Sequence, residues 1–83
     1  MTISQLDVEQ AIQEFLVRAN KAPETLTPDL ALYAEGIGLD SLETAELSAV
    51  LEDTFGTDPY SAGEMPQTVG EIIAFYESVA AEA

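Results

Sequence analysis

The sequence predicts an all-α fold, a small four-helix bundle of three main helices plus a short third helix, with residues 1–83 as a single domain. Three segments repeat apolar residues at helical spacing behind a capping signal, and no segment alternates apolar with polar residues as a half-buried strand does. The chain is 47% hydrophobic and its apolar residues are periodic, which argues against disorder. A domain of this size buries only about 60% of the surface its unfolded chain exposes, so the core is thin and leaves little protein to enclose a substrate cavity.

The first helix is expected from about Ser4 to Ala19. At about 100° per residue, Val8, Ala11, Ile12, Phe15, Leu16 and Ala19 gather on one side, with Glu9, Gln10, Gln13 and Glu14 opposite. Ser4 followed by Asp7 supplies its capping start. A long connection, NKAPETLTPDLALYAEGIGLD, comes next; Leu26, Leu30, Leu32, Tyr33 and Ile37 are expected to pin it to the core, and connections of this length are usually functional. The second helix is expected to open behind Asp40 and to run to Phe55, where Gly56 stops it. TDPYSAGEMPQ is rich in turn residues and is expected to hold the short third helix after Asp58-Pro59. The last helix opens at Thr68 with Glu71 completing a capping box, and Val69, Ile72, Ile73, Phe75, Tyr76 and Val79 form its apolar side.

Composition bounds the function. Sixteen acidic residues face only Arg18 and Lys21, a net charge of −14, which repels nucleic-acid phosphates and anionic membranes and attracts basic surfaces. Neither nucleic acid nor membrane is expected as a partner. No stretch approaches the roughly 18 apolar residues of a bilayer span, and MTISQLDVEQ has no basic, apolar leader pattern, so a cytoplasmic protein is expected. The chain has no cysteine, hence no disulfide and no zinc-finger ligation. It also lacks histidine, its one lysine lies in a loop, and nothing suggests a cleft that would tune a carboxylate. Neither an enzyme nor a metal protein is expected; DLALYAEGIGLD lacks the glutamate-closed D-x-[DN]-x-[DN]-G pattern of a calcium loop.

The stretch GIGLDSLETAEL, residues 36–47, singles itself out. On a helical wheel starting at Leu42, Thr44, Leu47, Val50, Leu51 and Phe55 fall within an arc of roughly 80–220°, the core face. Leu42, Ala45, Glu46, Ser48, Ala49, Glu52 and Asp53 occupy the other side, so a leucine sits among acids. Asp40 and Glu43 form a D-x-x-E capping pair, which puts Ser41 at the first helical position. There the backbone N–H groups lack intrahelical partners, and an anion joined to Ser41 meets the positive end of the helix dipole.

This stretch resembles the signature of acyl carrier proteins, in which a D-S-L triplet opens the second helix. The resemblance extends over nearly the whole chain: amphipathic first helix, long loop, acidic second helix, short third element, and a last helix opened by TVGEI. It implies an acyl-carrier-protein-like bundle whose Ser41, flanked by Asp40 and Leu42, receives 4′-phosphopantetheine from coenzyme A through a separate phosphopantetheinyl transferase. The arm's thiol would hold acyl or related intermediates as thioesters. Leu42, Glu43, Glu46, Glu52 and Asp53 would dock basic patches on a loading enzyme, acyl- or aminoacyl-activating, and on downstream biosynthetic enzymes. A monomer is expected. Leu39 before the triplet, with Ala45 and Ala49 outside, departs from carriers of fatty-acid synthesis, which usually show alanine there and larger apolar residues on the outer face. Aminoacyl carriers more often have glycine with His or Asp before the serine and less acid. The pattern is closer to discrete carriers of polyketide or other natural-product biosynthesis. A fatty-acid or aminoacyl carrier is the alternative, and an unmodified acidic interaction module is the alternative of another class.

Overall fold

A computed structural model describes residues 4–33 and 36–82. The described residues form three helices: α1 (Gln5–Arg18), α2 (Ser41–Phe55) and α3 (Val69–Glu82). Among the described residues there is no strand, only one antiparallel bridge between Ala31 and Thr68.

Local chemistry sets each helix end. Ser4 caps α1 in a full box: its hydroxyl accepts from the Asp7 N–H, and the Asp7 carboxylate accepts from the Ser4 N–H. At the other end Asn20 adopts φ 59°, in the left-handed region that asparagine tolerates better than most residues. The Lys21 N–H then bonds the Leu16 carbonyl at 2.8 Å and the Asn20 N–H bonds that of Val17 at 3.1 Å. That is a Schellman closure, and it fixes where the backbone of Lys21 lies. Asp40 and Glu43 repeat the full box at α2, which ends at Gly56 with φ 82°. At α3, Thr68 Oγ accepts from the Glu71 N–H, while the Glu71 carboxylate reaches one residue further back, to the N–H of Gln67.

The core is the cluster that the periodicity indicates. Val8, Ala11, Ile12, Phe15 and Leu16 of α1 are buried with Leu47 and Leu51 of α2 and Val69, Ile72, Ile73 and Tyr76 of α3; Leu32 and Leu39 join from the long connection. α1 packs on both other helices, whereas among the described residues no Cα of α2 lies within 8 Å of one of α3. Side chains alone bridge that gap, such as the rings of Phe55 and Tyr76 with centroids 4.9 Å apart.

The expected short third helix is absent; residues 59–63 form a single turn instead. The Ala62 N–H bonds the Asp58 carbonyl, but Gly63 already lies at φ 88°, and bonds from Gly63 to Tyr60 and from Glu64 to Pro59 close the turn. A stop signal five residues after the start leaves no length for a helix to propagate.

The long connection has a structural task as well. The first two N–H groups of α3, on Val69 and Gly70, have no intrahelical acceptor, and the carbonyls of Leu30 and Pro28 supply them at 3.1 and 2.7 Å. This approach requires a glycine: a Cβ on Gly70 would sit 2.8 Å from the Pro28 oxygen. Gly70→Ala is therefore expected to lower the melting temperature by about 4–8 °C, because overpacking of about 2 kcal/mol exceeds the ~1 kcal/mol that alanine gains in a helix. A thermal melt followed by circular dichroism checks it; an unchanged midpoint would mean the loop yields at no cost.

Candidate functional site

The site is built where the long connection enters α2. Leu39 is buried and anchors the entry, and its N–H bonds the Leu32 carbonyl at 2.9 Å. Asp40 follows with extended backbone, its Oδ1 accepting from the Glu43 N–H at 2.8 Å and its N–H donating to Glu43 Oε1 at 3.1 Å. Ser41 is therefore the first residue of α2, and it is exposed. Among the described residues no hydrogen bond uses its hydroxyl, while the neighbouring carboxylate of Asp40 is engaged with the backbone. A nucleophilic oxygen left free, on backbone held rigid, suits a covalent attachment. Leu42 beside it is 70% exposed, an apolar tip in water.

The residues expected to dock partners divide. Leu42, Glu46, Glu52 and Asp53 are exposed along α2, with Ala45 and Ala49 between them, and Glu52 accepts a bond from Ser61 Oγ at 3.3 Å. Glu43 differs from them. Its side chain is 16% exposed, and its Oε1 takes both the Asp40 N–H and an ion pair with Lys21 Nζ, which also donates to the Gly38 carbonyl at 2.8 Å. Its charge is engaged inside the fold, so only part of the expected acidic face is free. Ser48 is a second difference. The wheel puts it outside, but the 57–63 segment folds back against that side of α2, and Ser48 Oγ donates to Asp58 Oδ2 at 2.6 Å.

Asp58 is the polar residue that sequence reasoning missed. It is fully buried, and its Oδ2 accepts from Ser48 Oγ and from the N–H groups of Tyr60 and Ser61, while Oδ1 has no partner among the described residues. Burial raises its pKa, but the hydrogen bonds from Ser48, Ser61 and Tyr60 outweigh that and hold it below the ordinary value. The only signal in the sequence was its place before Pro59, which reads equally as a helix cap. Next to it, burial and then the Asp58 charge push the Tyr76 hydroxyl well above the ordinary tyrosine range, so it stays a neutral donor to the Thr57 carbonyl at 2.7 Å.

Among the described residues no catalytic constellation accompanies Ser41. Grooves of about 480 Å³ between residues 59–66 and α3 and about 410 Å³ between α1 and α2 both lie away from it. Among the described residues no cluster of acids could hold a metal ion, and no helix is long and apolar enough to cross a membrane.

The family model described as the phosphopantetheine attachment site matches residues 7–65, which run from the first turn of α1 through the long connection and α2 to the turn after it. The chain belongs to this family, the domain of acyl carrier proteins. It is a non-catalytic carrier that bears covalent 4′-phosphopantetheine and works with a phosphopantetheinyl transferase and biosynthetic enzymes. No solved structure gives a significant match to the chain.

Proposed function

We propose that Ser41 is the attachment residue, flanked by Asp40 and Leu42, and that the carrier presents acyl intermediates to enzymes of polyketide or other natural-product biosynthesis in the cytoplasm. The observation that carries the reading is the exposed, uncommitted Ser41 hydroxyl at the first position of α2. In the modification, Ser41 Oγ bonds to the β-phosphorus of coenzyme A and the phosphoanhydride bond breaks. Adenosine 3′,5′-bisphosphate leaves, and the hydroxyl proton passes to a base of the transferase. When bound, the arm supplies a thiol that carries the intermediate as a thioester. The chain's own part is to fix the oxygen, to offer the unpaired N–H groups of the first turn to a phosphodiester, and to present Leu42 beside it.

Incubation of the apo protein with coenzyme A and a broad-specificity transferase tests this directly. The intact mass is expected to rise by one phosphopantetheine; an unchanged mass would overturn the assignment of Ser41. The pathway assignment is supported by Leu39, whose buried side chain replaces the alanine usual before the triplet in fatty-acid carriers, and by the small exposed Ala45 and Ala49. Loading by acyl-transferring but not aminoacyl-activating enzymes is the result expected of it, and efficient aminoacylation would overturn it.

Leu42, Glu46, Glu52 and Asp53 form the docking face in this reading. Reversing Glu46 and Asp53 to lysine together is expected to lower kcat/KM for transferase loading roughly tenfold at low salt, with helicity kept. The deficit should shrink as salt screens the exposed pairs. Equal loading of variant and wild type at every ionic strength would put the recognition surface elsewhere.

A further inference from the structure

We infer that Lys21 is a positioning residue for the modification of Ser41, a clamp that grips the chain on both sides of the attachment serine. The inference rests on Ser41 being the attachment site. One ammonium group donates to the Gly38 carbonyl, three residues before Ser41, and pairs with the Glu43 carboxylate, two residues after it. Glu43 Oε1 simultaneously accepts from the Asp40 N–H, so the clamp extends into the capping box that flanks Ser41. The far end is anchored too. The Schellman closure of α1 binds the Lys21 N–H to Leu16, a fully buried core residue, so the lysine reaches the turn from fixed backbone.

The charge pattern makes this placement specific. The chain has sixteen acids and two cations, and its only lysine is paired with the acid two positions from Ser41. The pair is partly buried, with side chains 31% and 16% exposed, so solvent screens it less than a surface pair. Two consequences follow for Ser41. The turn from Gly38 to Glu43 is held at both ends, which limits the directions its hydroxyl can take toward an attacking geometry. The negative charge closest in sequence on the helix side is also compensated, where coenzyme A must bring its phosphates.

Lys21→Met removes both donors and keeps the stem. With transferase and coenzyme A, well below the melting temperature, it is expected to lower kcat about tenfold while KM for the carrier stays within about twofold, because the exposed docking face is untouched. Lys21→Arg keeps the charge and is expected to recover loading to within about threefold of wild type. Amide exchange at Asp40 and Glu43 should quicken in the methionine variant and not in the arginine variant. A residue that merely staples the loop would lower the melting temperature and leave kcat alone. Should Lys21→Met prove poorly folded, Glu43→Gln preserves shape and acceptor, removes the charge, and is expected to reduce kcat by about threefold. Loading of folded Lys21→Met, or of Glu43→Gln in its stead, at the wild-type kcat would overturn the inference. Wild type that gains no mass would instead overturn the assignment of Ser41.

Discussion

Ser41→Ala is expected to abolish the mass gain with transferase and coenzyme A completely, with no detectable product over times that convert wild type in full. The substitution removes the one hydroxyl in the first turn of α2 that no hydrogen bond among the described residues uses, and takes nothing from the core, because Ser41 is exposed. The Asp40–Glu43 box closes without it, so the far-ultraviolet spectrum should be unchanged and the melting temperature should move by no more than about 2 °C, as for an exposed substitution away from structural features. Other hydroxyls do not replace it. Ser48 is committed to Asp58, and Thr44 Oγ donates to the Asp40 carbonyl at 2.8 Å. Continued labelling of the alanine variant would refute the site.

The second large effect is on stability. Asp58→Ala is expected to lower the melting temperature by about 10–25 °C, because a Ser48 hydroxyl and the N–H groups of Tyr60 and Ser61 lose one shared acceptor in a dry place, a cost of about 2–4 kcal/mol. Asp58→Asn keeps one oxygen to accept from Ser48, Tyr60 and Ser61, so it should recover more than half of the stability that the alanine variant loses. The pH dependence follows from the direction of the shift. The folded-state pKa lies below the reference value of 3.8, so the charged carboxylate contributes stability above that pH. The contribution declines as pH falls through the folded value. The gap in melting temperature between wild type and Asp58→Asn should therefore narrow below about pH 4 and be widest near neutrality. A gap that stays constant across that range would assign the effect to shape alone.

What could be read from the sequence was whatever is decided within one helical turn. The ends of α1 and α2 follow from Ser4, Asp40 and Gly56, and the position of Ser41 follows from the cap before it. What could not be read depends on residues that meet only after folding. Lys21 and Glu43 are twenty-two positions apart, and nothing near either announces the other. Asp58 stands in a segment of turn residues, where an aspartate is ordinarily exposed; its burial comes from the turn folding onto α2 at Ser48. The docking of Pro28 and Leu30 onto the start of α3 uses carbonyl oxygens, which every residue has and which leave no trace in side-chain pattern. The missing short helix is a failure of extent: Asp58-Pro59 does begin a helical turn, and Gly63 ends it before a second can form.

Side chains from within four positions close the first turn of each helix: Ser4 with Asp7, Asp40 with Glu43, and Thr68 with Glu71 and Gln67. The caps of α1 and α2 are thus written beside them in the chain, whereas the first two N–H groups of α3 also draw on the carbonyls of Leu30 and Pro28. Nucleation is the costly step in making a helix, and these short-range closures bear on that step, while persistence still requires α2 and α3 to settle against α1. A chain leaving the ribosome can sample α1 before α2 exists, then gain its first lasting partner when α2 emerges. Refolding from denaturant should accordingly be fast, on the order of microseconds to milliseconds as for other small helical proteins.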